Sequence, residues 1–297
     1  MKKLILVYNP VSGDAFFKYR LDELIDKFLH HHCVVIPFRT SRDNLTLLTG
    51  LLGSAGAEGV IIAGGDGTVH QVMNVLLQAG VDLPVGIIPS GTSNDFASHA
   101  GLGQDLDRYI AAIAKGAVMP VDIGKINDRY FVNVAGAGLL TSVAHHVDSA
   151  LKNILGRIAY YLKGLGELPN FRTLKMTIRA DDQVIEEELF LFLILNSGTV
   201  GSIANLVPAR IDDGKLDVLI VKQCSIPDLM TLVISLLTGK DPAQHRSVIY
   251  LQARNIHIAC EEEVESDVDG ELGPNLPLEI TAIPGKIKIF CEQKPAG

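Results

Sequence analysis

Cysteine is scarce in this chain of 297 residues: Cys33, Cys224, Cys260 and Cys291 lie far apart. That spacing supports neither a close-set metal motif nor a disulfide framework, and it fits a reducing compartment. Long apolar runs are missing too. The longest apolar helix candidate, 229–237, is far too short to span a membrane. At the amino terminus Lys2-Lys3 precedes only Leu4-Ile5-Leu6-Val7 before Tyr8-Asn9-Pro10. A run so brief predicts a buried first strand rather than a targeting segment. Positive charge is in deficit, with 26 Lys and Arg against 34 Asp and Glu and a net charge of −8. The balance argues against broad nucleic-acid binding and gives no global attraction to anionic membranes, so any lipid contact has to be local. There is no internal repeat and no low-complexity segment.

What is present is globular: 47% hydrophobic and 20% charged residues, in a length that suits one large domain or two ordinary ones. The organising stretch is Gly64-Gly65-Asp66-Gly67-Thr68. It follows the apolar run Val60-Ile61-Ile62-Ala63 and precedes Val69, Val72, Met73, Leu76 and Leu77, which share one face of a helix predicted to open near Val69. Glycines at a strand-to-helix turn let backbone N–H groups and the helix dipole meet an anion closely. A carboxylate there makes better sense if a divalent cation or a transferable proton is also present. Read alone, the same letters describe a glycine-rich turn with Asp66 as a local cap.

The first part of the chain alternates. Strands are predicted at 4–8, 33–38, 60–63 and 85–88. Helices are predicted around Leu21, Leu24, Ile25, Phe28 and Leu29, then at 43–52, 69–79 and 106–115. Strands without strict alternation, separated by helices, mean a mainly parallel sheet covered on both faces, with ligands beyond the carboxyl ends of the strands. Polar, glycine-containing loops follow the strands at Tyr8, Ala63 and Ile88. His30-His31-His32 cannot all face one ion, and a solvated helix end explains them better. Beyond about residue 118 the rhythm changes. A hairpin over 121–134 and a helix over 143–166 are followed by strands at 173–180, 186–195, 216–221, 247–251, 255–259, 278–283 and 286–291. This run predicts a second domain of antiparallel or sandwich type, with a boundary near residue 123.

Asn9-Pro10-x-Ser12-Gly13, Gly64-Gly65-Asp66-Gly67-Thr68 and Gly91-Thr92-x-Asn94-Asp95-Phe96-Ala97 together resemble the diacylglycerol kinase catalytic domain family, whose relatives include sphingosine and ceramide kinases. Asp212-Asp213-Gly214-Lys215-Leu216-Asp217 and Asp269-Gly270-Glu271 agree with it, so the resemblance spans nearly the whole chain. It implies a doubly wound, mainly parallel α/β domain (1–123, with 284–297 returning) and an antiparallel β-sandwich (124–283), with the active site in the cleft between them. It further implies that Asn9, Ser12, Thr40, Gly64, Gly65, Asp66, Gly67, Thr68 and Thr92 bind ATP, with Asp66 near a catalytic Mg²⁺. Asp95 would belong to the carboxylate network, and Glu271 would be the general base on the lipid hydroxyl, with Asp269 beside it as a candidate ligand of the metal. A structural Mg²⁺ would be held by Asp213 and by the carbonyls of Lys215 and Arg210.

Phosphoryl transfer asks mainly for alignment and charge neutralisation, and Mg²⁺ usually takes one or two protein carboxylates. The expected function is transfer of the ATP γ-phosphate to a glycerolipid hydroxyl, diacylglycerol first, by a cytoplasmic enzyme peripheral to the inner membrane surface. Two alternatives stand beside it: an NAD kinase-like phosphotransferase, which shares GGDGT, and a non-catalytic lipid- or nucleotide-binding relative. A homodimer is compatible with the sequence. The family commonly continues x-Asn-Glu after its GDGT, where this chain has Val69-His70-Gln71. In the first loop Asp14 replaces a small or basic residue, with Lys18 and Arg20 nearby. The apolar stretch 226–237 borders a lipid pocket, touches a membrane, or is a helix packed on the sandwich. Arg157, Tyr160, Tyr161 and Lys163 are candidates for headgroup contact or an ordinary helix face.

Overall fold

A computed structural model describes residues 1–13, 16–41, 44–103, 105–138, 173–201, 203 and 206–292. The chain forms two compact units, Met1–Val121 with Gly285–Gly297, and Asp122–Pro284. Among the described residues no helix is long and apolar enough to cross a membrane.

The first unit is built on parallel strands β1 (Lys2–Tyr8), β2 (Cys33–Arg39), β3 (Gly59–Gly64) and β4 (Val85–Pro89), in the order β2-β1-β3-β4. The last stretch of β15 (Leu278–Phe290) adds to β4 in parallel, with Ile289 opposite Val85. Leu4–Val7 and all of β3 are buried without alternation, as strands covered on both faces must be. Helix α1 (Phe16–His30) packs beside α5 (Leu106–Lys115), and α2 (Leu47–Ala55) beside α3 (Asp66–Gln78). The Tyr109 hydroxyl on α5 accepts from Ile87 N at 3.0 Å and donates to the Phe290 carbonyl at 3.1 Å. It thus bridges β4 and β15. Burial pushes this phenol's pKa up, outweighing the opposing bond from Ile87.

The second unit is antiparallel. Its strands are β5 (Val118–Ile126, from Asp122), β6 (Arg129–Phe131), β7 (Val134–Gly138), β8 (Leu174–Ala180), β9 (Gln183–Leu195), β10 (Leu216–Lys222), β11 (Val248–Ala253), β12 (Asn255–Cys260), β13 (Glu265–Val268), β14 (Glu271–Asn275) and the first part of β15. The long β9 pairs with β8 along its first half, and with β7 and β10 along its second. Its side chains alternate. Phe192 and Ile194 join Ala135, Met176, Ile178, Ile220, Ile256 and Ile280 in the core, while Leu191, Leu193 and Leu195 face a second cluster. Helix α6 (Ile226–Leu237) covers that second cluster through Leu229, Leu232 and Val233. The apolar stretch 226–237 is therefore a helix packed on a sheet face, with Ile234 left exposed.

Several boundaries differ from expectation. Helix α3 opens at Asp66, three residues before the apolar face begins, so Asp66 is a first-turn residue. Helix α2 starts at Leu47 and runs to Ala55, later at both ends than the pattern predicts. The expected hairpin partner over 130–134 divides into β6 and β7, and β7 pairs with β9 and β13 instead. The two expected strands at 278–283 and 286–291 are one continuous strand passing through Pro284 and Gly285. Strands β13 and β14 and the short helix α4 (Asp95–His99) have too little apolar pattern to be predicted. His31 and His32 are exposed and His30 Nδ1 meets the Asp26 carbonyl, as a solvated helix end should look. The expected helix over 143–166, with Arg157, Tyr160, Tyr161 and Lys163, lies outside the described residues, as do Asp14 and the side chain of Lys18.

Candidate active site

In the first unit four strand exits converge. Tyr8 leads into Asn9, whose Nδ2 donates to Thr68 Oγ1 at 3.0 Å and whose Oδ1 accepts from Val11 N at 3.1 Å. One asparagine thereby fixes its own turn and the start of α3. Thr40, at the exit of β2, donates to the Tyr8 carbonyl from its backbone N at 2.9 Å and from Oγ1 at 3.3 Å. The exit of β3 meets that of β4 closely. A Cβ on Gly91 would lie 2.6 Å from Gly65 Cα, and one on Gly13 would lie 2.0 Å from the Ser90 carbonyl oxygen. Gly64 is equally confined, since a Cβ there would lie 2.5 Å from Thr68 Cβ. Gly13 and Gly91 thus make room for neighbouring backbone, and Gly64 makes room for the Thr68 side chain.

Gly65 is the N-cap of α3 and has no side chain to accept from the first-turn N–H groups. Amides at this end suit an anion, and Gly67 and the buried Thr68 lie in the same turn. Asp66 Oδ1 accepts from Asp95 N at 2.9 Å, which sets the direction of the Asp66 carboxylate and caps the start of α4. Asp95 itself is buried. Asn94 adopts φ 49° and both accepts from Gly91 N and donates to the Gly91 carbonyl at 2.7 Å. The pair locks the loop that carries Thr92, which is exposed, as a ligand contact requires. Ser90 Oγ in that loop is buried without a hydrogen-bond partner among the described residues. In the Val69-His70-Gln71 departure, His70 is buried and Gln71 is exposed.

In the second unit Asp269 and Gly270 form the tight turn between β13 and β14, with φ 52° and 88°. Asp269 Oδ2 accepts from Val132 N at 2.8 Å, and its Oδ1 accepts from Asn133 N and Val134 N, each at 2.9 Å. Glu271 opens β14 and is exposed, paired with Val268. Asp213 Oδ1 accepts from Lys215 N at 3.0 Å, while Arg210 Nε turns to Asp212 Oδ1 at 3.1 Å. The Arg210 side chain is thus engaged by the neighbouring carboxylate. The loop is anchored by Asp122, a residue the pattern does not single out. It is buried, its Oδ2 accepts from Gly214 N at 2.6 Å, and its N donates to the Ile211 carbonyl at 2.7 Å. Asn196 adds two bonds from Nδ2, to the carbonyls of Asp122 and Val132, both at 2.9 Å. No sequence signal marks these two, because a single Asp or Asn inside an apolar strand has no motif.

Mg²⁺ fits these residues by donor chemistry. Asp66, Asp95 and Asp213 offer hard carboxylate oxygens, and the 210–215 loop adds carbonyls. Among the described residues no group of three or more His, Cys, Asp or Glu is placed to hold a metal ion. Phosphate and water usually complete a Mg²⁺ shell.

Glycine-lined exits of a parallel sheet that open onto a helix N-terminus, in a chain with a second, antiparallel β unit, are of a class that suits phosphate-handling enzymes. The model of the diacylglycerol kinase catalytic domain matches residues 3–126, and that of the YegS C-terminal NAD kinase beta sandwich-like domain matches residues 133–291. Diacylglycerol kinase of Bacillus subtilis (strain 168) is 32% identical over 100% of this chain and 98% of its own. That of Staphylococcus carnosus (strain TM300) is 33% identical over 97% and 95%. A solved structure of a diacylglycerol kinase from Bacillus anthracis str. Sterne superposes with TM-score 0.75 at 26% identity, covering 97% of this chain and 96% of that one. This chain belongs to the diacylglycerol kinase catalytic domain family, and it is a kinase.

Proposed function

We propose that this enzyme transfers the γ-phosphate of Mg-ATP to the free hydroxyl of diacylglycerol, giving phosphatidic acid, at the cytoplasmic face of a membrane. The observation that carries the reading is the seat in the first unit. Gly65 caps α3 with no side chain, Asn9 holds Thr68, and the Asp66 carboxylate is aimed by the Asp95 N–H. Amides at the start of α3 and the Thr92 loop would orient the phosphates, and Thr40 and Ser12 would bound the rest of the nucleotide. Mg²⁺, when bound at Asp66, supplies charge neutralisation on the phosphate oxygens, and a second Mg²⁺ at Asp213 would brace the 210–215 loop.

Glu271 is the proposed base. As the lipid hydroxyl oxygen bonds to phosphorus, its proton passes to the Glu271 carboxylate, and the bond from phosphorus to the bridging oxygen breaks to leave ADP. No phosphoenzyme is needed. A base of this kind contributes on the order of 100-fold or more in rate.

Labelled ATP offered with diacylglycerol, phosphatidylglycerol, sphingosine and NAD decides the acceptor. Label in phosphatidic acid supports the proposal. Label in NADP alone would favour the NAD kinase alternative, and label in none of them a non-catalytic binding protein.

A further inference from the structure

We infer that Asp269 and Arg129 are positioning residues that hold the Glu271 hairpin, and that Asp269 is not a ligand of the catalytic metal. This deepens the proposed function and rests on Glu271 as its base. Glu271 begins β14, which among the described residues ends the strand order of its sheet and has a ladder on one side. A strand in that position is free to fray unless something outside the ladder holds it. Two devices do so.

The first is the Asp269 carboxylate. Three consecutive main-chain N–H groups, from Val132, Asn133 and Val134, converge on its two oxygens at 2.8–2.9 Å. A carboxylate has about four acceptor directions, and three here are turned towards the chain between β6 and β7. Asp269 N completes the clamp by donating to the Val134 carbonyl at 2.8 Å. Asp267 Oδ1 accepts from Gly270 N at 3.0 Å and fixes the turn from the other side. Residue 269 therefore has its charge spent on backbone, two positions before Glu271.

The second device is Arg129. Its Nη1 donates to the carbonyl of Leu272 at 2.8 Å, immediately after Glu271. The contact joins β6 to the strand that carries the base. Lysine at this position retains a donor without the planar fork, which makes a graded test available.

The test pairs kinetics with hydrogen exchange on the full chain. In Asp269→Asn, the amides of residues 132–134 should exchange faster. kcat should fall about 10- to 100-fold, the scale of a misplacement near 1 Å. KM for ATP and the half-saturating Mg²⁺ concentration should stay within about twofold, because neither depends on the hairpin. Arg129→Ala should lose several-fold in kcat with KM for ATP unchanged, and Arg129→Lys should recover part of it; this pair carries the test if the Asp269 variant does not fold. An Mg²⁺ requirement raised tenfold with protection of 132–134 intact would make Asp269 a metal ligand and overturn the proposal. So would wild-type kcat after protection is lost. A Glu271→Gln variant with full turnover would instead remove the base assignment, while the exchange result would still report whether the clamp exists.

Discussion

A single added carbon at Gly91 should separate the loops that follow β3 and β4. Gly91 has no positive φ, so alanine there is not strained by its own backbone, and the cost is all in the neighbour. Its Cβ would lie 2.6 Å from Gly65 Cα and 3.0 Å from Asn94 Oδ1. Ordinary carbon contacts lie near 3.5–4.0 Å, so one loop has to retreat by about 1 Å. The retreat falls on the N-cap of α3, where the proposed function places the phosphates. A displacement of that size costs about 100-fold in a positioned reaction, which corresponds to about 2.7 kcal/mol of transition-state stabilisation. Gly50→Ala is the matched control. It places a Cβ in open space within α2, where alanine should stabilise the helix by about 0.5–1 kcal/mol and leave turnover alone. The assay is kcat/KM for ATP in both variants, with isothermal titration of a non-hydrolysable ATP analogue. A Gly91→Ala enzyme within twofold of wild type would refute the reasoning, because the two loops would then not need their contact.

Tyr109→Phe should leave the Ile87 N–H and the Phe290 carbonyl unpaired in a buried place, costing about 2–3 kcal/mol, read as a lower denaturant midpoint with unchanged slope. The Asp181 carboxyl is held below its usual pKa by the backbone N–H groups of Arg254 and Asn255, so it contributes stability above the unfolded carboxylate range near pH 4 and loses it as pH falls through its lower folded value. Thermal midpoints of wild type and Asp181→Asn should accordingly differ at pH 7 and converge once pH has fallen below that lowered folded value. Leu272 is half exposed beside Glu271, and Leu272→Asp should reduce phosphorylation of long-chain diacylglycerol in vesicles by about tenfold while sparing a short-chain, water-dispersed acceptor. Equal loss on both acceptors would mean that Leu272 does not meet the lipid phase.

Much of the first unit is legible in the residues because its strands are continuous apolar runs and its loops carry glycine where backbone meets backbone. Gly64, Gly65 and Gly91 can be found that way, although the pattern explains them as room for an anion and the structure adds the reason that the loops touch. Helix α3 was harder to bound: Asp66 and Gly67 contribute nothing to the apolar face, so periodicity finds its second turn before its first. In the second unit the hairpin carrying Asp269 escapes periodicity altogether. Glu265–Val268 and Glu271–Asn275 are short and polar, and the second contains Gly273 and Pro274. Asp122, Asn196 and Tyr109 are invisible for another reason. Each satisfies buried main-chain groups far away in sequence, and nothing local announces such a partner. Pro284-Gly285 misleads in the opposite direction, since it looks like a break and lies inside β15.

That uninterrupted β15 has a consequence for how the protein is born. The first unit is almost complete once Val121 has been synthesised, yet its last strand, the neighbour of β4, belongs to the far end of the chain. At ~5–20 residues per second, the ribosome takes on the order of ten seconds or more to deliver it. Throughout that interval β4 presents an open hydrogen-bonding edge, and the Tyr109 hydroxyl waits for a carbonyl not yet made. A message that ends before Leu278 should yield a nascent half-molecule prone to stick to its own kind, whatever the quality of its nucleotide seat.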